Sequence, residues 1–178
     1  MRYVALLRGV NVGGNGKVDM KQLPAVFEAA GMSRAKTYIN SGNVVFETDL
    51  DDRTAVTELL ENSIERHFGI AIRVLVKSRD EIASIVAALP DDWTNDDAAK
   101  CDVFFLWPAV DRPSIVDELP SDPAIDDVRY TPGAVLRWVA RKNAAKSKLT
   151  RIAGTPLYQE ITIRNCNTAR KLRSLLEE

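Results

Sequence analysis

The chain has little of what most catalytic centres are built from. It has two cysteines, Cys101 and Cys166, and one histidine, His67. Two cysteines this far apart in sequence make neither a disulfide framework nor a CxxC metal pair. His67 falls near the end of an amphipathic helical pattern, where a surface or packing role is the ordinary one. Zinc coordination and Ser-His or Cys-His catalysis are therefore poor readings. No apolar run approaches the roughly 20 residues needed to span a bilayer. The opening MRYVALLRG is too short for a signal-peptide core and lacks a cleavage site. A cytoplasmic protein without metal, cofactor or membrane partner is the expectation. The acidic stretch PDDWTNDDAAK (90–100) lacks the glycine at position six and the glutamate at position twelve of a calcium loop, so it reads as a solvated linker.

Net charge is also nearly absent, at −1, but this hides an asymmetry. Residues 80–127 hold 13 acidic and 2 basic residues, and residues 129–173 hold 11 basic residues and one acid, Glu160. Either the two blocks pair or decorate separate surfaces, or the second offers a positive face to an anionic ligand.

What is present is a repeated order of elements. RYVALLR (2–8) reads as a strand. A glycine-rich loop follows, then a helix over roughly 19–30 with Asp19 as N-cap and Pro24 making its start uncertain. KTYIN (36–40) and VVFET (44–48) are strands joined by the turn SGN. Val56, Leu59, Leu60, Ile64 and Phe68 recur at helical spacing, and IAIRVLV (70–76) alternates as a strand. Ser78 and Glu81 form a capping box for a helix to about Leu89.

The second half repeats the order. CDVFFLW (101–107) is a strand, and a short helix follows Pro113. DVRYT and AVLRWVAR make a hairpin across Pro132–Gly133. Residues 143–153 are helical and stop at Gly154, YQEITIR (158–164) is a strand, and a last helix starts near Thr168, capped by Asn167. The fold class is α+β, a tandem duplication of two ferredoxin-like βαββαβ subdomains with extra helices. The divisions are 1–77, a helix and linker over 78–100, and 101–178.

In that topology the first β–α loop lies beside the β2–β3 turn, which groups residues 9–18 with Asn40, Ser41, Gly42 and Asn43. In the second half Arg141, Lys142, Lys146 and Lys148 come near Arg164, Asn165 and Asn167. If the halves pack through their sheets, the two polar clusters line one cleft.

The stretch LLRGVNVGGNGKVDM has the makings of an anion site, with successive backbone N–H groups, a helix start, and Arg8 and Lys17 beside it. It matches neither the Walker loop nor the dinucleotide fingerprint, so tight turning remains the competing account of its glycines. Arg170, Lys171 and Arg173 crowd the start of the last helix, against the helix dipole; a bound anion or simple solvent screening would relieve them. RNA binding through an aromatic sheet is disfavoured, because Asn43 and Val45 stand where stacking rings belong; Tyr3 and Phe46 read as core.

The motifs YVALLRGVNVGGNGKVDMKQL, TYINSGNVVFET and ITIRNCNTARKL, in that order, resemble the bacterial family known as domain of unknown function 1697. The resemblance covers almost the whole chain and implies a duplicated ferredoxin-like unit. It carries the family's signature positions onto Arg8, Gly9, Asn11, Gly13, Gly14 and Lys17 in the first motif. It carries them onto Ser41, Gly42 and Asn43 in the second, and onto Lys148, Arg164, Asn165, Asn167 and Thr168 towards the end. The closing motif usually has an aromatic between its asparagines; here it is Cys166. The resemblance implies no activity, substrate or cofactor.

The leading functional expectation is a module that binds a phosphate-bearing small molecule or nucleic acid through these residues. The rivals are an enzyme acting on such a ligand, for which Asp19 is the only carboxylate near the loop, and a protein-interaction module whose opposed charge blocks pair between copies.

Overall fold

The computed structural model describes residues 1–12 and 17–178. The chain divides into two compact units, one of residues 1–80 with 174–178 and the other of 81–173. The class is mixed α+β, with two four-stranded antiparallel sheets.

The first unit runs β1 (Arg2–Leu7), α1 (Leu23–Ala29), β2 (Ser33–Tyr38), β3 (Asn43–Glu47), α2 (Arg53–Phe68) and β4 (Val74–Ser78). Its sheet order is β2-β3-β1-β4. Tyr3, Ala5 and Leu7 alternate along β1 onto the core, where they meet Phe27, Val44, Phe46, Leu60 and Ile64. Val4 and Leu6, on the other face, are fully buried as well, in keeping with a strand apolar at every position. Tyr3 stacks on Phe46 at 5.8 Å between ring centroids, and Phe27 meets Phe46 edge-on at 5.6 Å. The two rings considered for base stacking are therefore core residues.

α2 forms because Val56, Leu60 and Ile64 share one buried stripe. The Asp52 carboxylate caps it by accepting from the N–H groups of Thr54 and Ala55, and Gly69, at φ 71°, ends it. Leu59 does not join the stripe; it is 41% exposed.

α1 is shorter than its sequence pattern, and Asp19 is not its cap. Pro24 lacks an N–H, so it fits only the first turn, and the helix starts beside it at Leu23. The Asp19 carboxylate instead accepts from the Lys21 N–H (2.9 Å) and Gln22 Nε2 (3.2 Å), shaping a turn ahead of the helix. β4 starts later than IAIRVLV suggests because its pairing with β1 runs from Leu7↔Val74 to Tyr3↔Ser78.

The remaining elements are α3 (Arg79–Ala87), β5 (Ala99–Leu106), α4 (Ile115–Glu118), β6 (Asp126–Thr131), β7 (Ala134–Ala140), β8 (Ile161–Asn165) and α5 (Cys166–Glu177). The second sheet is ordered β6-β7-β5-β8, so its strands occupy the same relative positions as those of the first. Its core gathers Phe104, Leu106, Ile115, Val135, Leu149, Ile152 and Ile161.

Between β7 and β8 the expected helix over 143–153 is absent. Two 3-10 segments, Arg141–Lys146 and Lys148–Gly154, stand there, and a third, Pro156–Glu160, delays β8 to Ile161. Ser147 is the break. Its backbone is extended (φ −62°, ψ 130°) and its hydroxyl donates to the buried Asp126 carboxylate at 2.8 Å. No helix of the described residues is long and apolar enough to cross a membrane.

Candidate functional site

At one end of the first sheet the β1–α1 loop, the β2–β3 turn and the start of β4 are tied together. The Leu7 N–H donates to the Gly42 carbonyl at 2.8 Å and the Arg8 N–H to the Arg73 carbonyl at 2.9 Å. Asn11 takes a left-handed conformation, φ 55°, which asparagine tolerates better than most residues. Its amide then acts as a clasp. Oδ1 accepts from the Val18 N–H (3.0 Å), while Nδ2 donates to the carbonyls of Val18 (3.1 Å) and Asn40 (3.0 Å). One side chain thus joins Asn11 to Val18 and fastens both to the neighbouring turn. Gly13 and Gly14 lie outside the described residues.

Asn43 is fully buried, and its Nδ2 donates to the Tyr38 carbonyl (2.9 Å) and to Ser41 Oγ (3.1 Å), which closes the β2–β3 turn. Asn11, Gly42 and Asn43 therefore build the scaffold of this end. Lys17 is exposed, and Arg8 and Ser41 are half-buried. Arg73, also exposed, joins them. Sequence alone did not single it out, because its place depends on the pairing of Leu7 with Val74.

The second unit treats its predicted residues differently. Arg164 is buried, with Nη1 donating to Thr162 Oγ1 and to the Ile163 carbonyl, both at 2.9 Å. Burial pulls its pKa down to about 10. Asn165, not Asn167, caps α5, its Oδ1 accepting from the Thr168 N–H at 2.8 Å. β8 runs to Asn165, so the helix begins directly after it. The exposed Asn167 donates to the Asn95 carbonyl at 2.9 Å, and Thr168 is buried. Arg141 sits at the same end, donating to the carbonyls of Asp96 (2.7 Å) and Ala99 (3.1 Å). Lys148 is exposed at the start of its 3-10 segment. Asn165→Ala is expected to cost about 1 kcal/mol of stability in urea unfolding, the usual value of a lost N-cap, and Asn167→Ala clearly less.

Of the cations crowding the start of α5, Arg170 finds partners. Arg170 donates to the carbonyls of Trp93 (2.9 Å) and Pro90 (3.1 Å). That relieves its position near a helix N-terminus without any bound anion. Among the described residues no group of three or more histidine, cysteine or acidic side chains is arranged to hold a metal ion.

The profile of a family described as "Protein of unknown function (DUF1697)" matches residues 1–136. The chain belongs to the DUF1697 family. The match takes in both motifs of the first-unit end and stops before the closing motif of this DUF1697 protein. Among solved structures, the conserved bacterial protein SP0830 from Streptococcus pneumoniae is 28% identical, with 98% of each chain covered and a TM-score of 0.80. No curated protein matches.

Proposed function

We propose that this DUF1697 protein binds a phosphate-bearing ligand, a nucleotide or a nucleic-acid backbone, at the β1–α1 end of its first unit. The observation that carries the reading is the Asn11 clasp. It spends every polar atom of one side chain on joining residue 11 to Val18 and to the Asn40 carbonyl of the neighbouring turn. Arg8 and Lys17 flank the glycine-rich stretch in sequence, the Arg73 carbonyl accepts from the Arg8 N–H, and Ser41 offers a hydroxyl. Cations and a glycine-rich stretch at one sheet end are the residue types that anionic oxygens call for. Asn11, Gly42 and Asn43 position; Arg8 and Lys17 bind.

In the second unit Arg164, Asn165 and Thr168 serve the fold, while Lys148 and Asn167 are exposed. Asp19, engaged by Lys21 and Gln22, supports a binding role over general-base chemistry. The two units are read as a tandem ferredoxin-like duplication, which the matching strand orders support.

The test is titration of ATP and of a short oligoribonucleotide at low and high salt. Arg8→Ala is expected to weaken binding at least tenfold, since a charge-assisted hydrogen bond contributes about 1.5–3 kcal/mol. Lys17→Ala weakens it less and flattens the salt dependence. Absence of binding to either probe at low salt, or an Arg8→Ala protein that binds as the wild type does, removes the reading.

A further inference from the structure

Cys101 and Cys166, remote in sequence, meet in the fold. β5 and β8 pair with Asp102 opposite Asn165 and Val103 opposite Arg164. Cys101 and Cys166 are the residues directly beyond the Asp102–Asn165 pair, where β8 gives way to α5. Paired residues of an antiparallel ladder have Cα atoms about 4.5–5.5 Å apart, inside the roughly 4.4–6.8 Å span of disulfides, so flanking such a pair brings the two thiols within reach of one another. Both cysteines are free thiols and both are fully buried; the Cys166 thiol donates to the Trp93 carbonyl at 3.6 Å.

The two thiols are unequal. The neighbouring Cys101 thiol and the Arg170 charge bring the Cys166 pKa down to about 7, against burial and the Asp102 carboxylate, which push it up. Arg170 Nη1 lies 3.4 Å from the Cys166 sulfur, and Cys166 opens a twelve-residue helix, where negative charge is favoured. The Cys166 sulfur beside it and burial push Cys101 up. One sulfur is set to attack, while its neighbour keeps its proton.

We propose that Cys101 and Cys166 are a reversible thiol–disulfide pair oxidised by a small peroxide. The Cys166 thiolate attacks a peroxide oxygen and the O–O bond breaks, leaving a sulfenic acid on Cys166; the departing oxygen takes a proton and leaves as water or an alcohol. The Cys101 sulfur then attacks the Cys166 sulfur. The S–O bond breaks, an S–S bond forms, and the hydroxide takes the Cys101 proton and leaves as water. The two thiols have lost two electrons and the peroxide has gained them; a dithiol reductant reverses the step by exchange. Burial selects the oxidant. Both sulfurs are fully buried, so a small uncharged peroxide reacts with them faster than a bulky disulfide does. The thiol pair stands independently of any ligand at the first unit.

Hydrogen peroxide is added to the reduced chain, which is then denatured, alkylated with iodoacetamide and digested for mass spectrometry. Expected are a peptide crosslinked between Cys101 and Cys166, no alkylation at either, recovery of both thiols with dithiothreitol, and a rate that rises with pH through about 7. Cys101→Ser stops at a sulfenic acid on Cys166 that dimedone traps. Cys166→Ser leaves Cys101 unoxidised, at least tenfold slower than the wild-type reaction. The wild-type measurement decides alone if a serine variant does not fold. Full alkylation of both cysteines after peroxide, or a wild-type Cys166 that runs on to sulfinic acid without a crosslink, overturns the proposal.

Discussion

Gly42→Ala is expected to destabilise the first unit by about 2–5 kcal/mol. Two costs add. Gly42 sits at φ 77°, where a side chain costs about 1–2 kcal/mol. A Cβ there would also lie 2.8 Å from Leu7 Cβ and would run into Val10 Cγ2. Leu7 and Val10 are buried, so neither moves away freely, and forcing a methyl into a packed core costs about 1–3 kcal/mol more. Gly9→Ala is the control. Its φ is 70°, and nothing lies within 4 Å of its added Cβ, so only the backbone cost of about 1–2 kcal/mol applies. Urea unfolding of the two variants separates the terms. Equal losses would mean that the contact with Leu7 and Val10 is not what demands glycine. The Ser41-Gly42-Asn43 motif then has a structural account: glycine for close approach, and asparagine to close the turn, in part onto Ser41 Oγ.

That division shows what was legible in the sequence. The strands were, because residues 3–7 of β1 and 103–106 of β5 are continuous apolar runs and Pro132–Gly133 marks a hairpin turn. α2 was, because its buried stripe and the glycine that ends it are local signals. The 3-10 segments between β7 and β8 were not. A helical pattern over 143–153 is interrupted by one hydrogen bond from Ser147 to Asp126, 21 residues away in sequence, and no local window contains that partner. The cap of α5 was misplaced for a related reason. Asn165 and Asn167 are equally good caps by type, and the choice falls to where the β5–β8 ladder stops. The same register brings the two cysteines together. At the candidate site the residue types were legible and their duties were not: several polar residues that looked available for a ligand turn out to hold backbone in place.

The charge asymmetry resolves in the same way, and it carries the second large expectation. Members of the acidic and basic blocks pair inside the second unit. Arg137, 2% exposed, sends Nη1 to Asp102 at 3.1 Å and Nη2 to Asp126 at 3.3 Å. Asp126 also accepts from Ser147 Oγ, and Lys100 lies 3.8 Å from Asp102. Arg137 is thus the cation between two buried carboxylates, in the middle of β7 and opposite Asp102 in the ladder. Removing it leaves both acids with less compensation than burial requires. Arg137→Met, which keeps much of the side-chain volume, is expected to lose about 3–5 kcal/mol, the usual cost of breaking a buried ion pair on one side. Adding Asp102→Asn and Asp126→Asn to that variant should recover a large part of the loss, because the remaining polar groups are then neutral. The measurement is urea unfolding of the single and triple variants. A single variant within about 1 kcal/mol of the wild type, or a triple variant less stable than the single one, would show that the network does not hold this part of the fold. A large loss with recovery assigns these charges to the architecture of the second unit, and leaves Arg8, Lys17 and Arg73 of the first as the cations to test for a ligand.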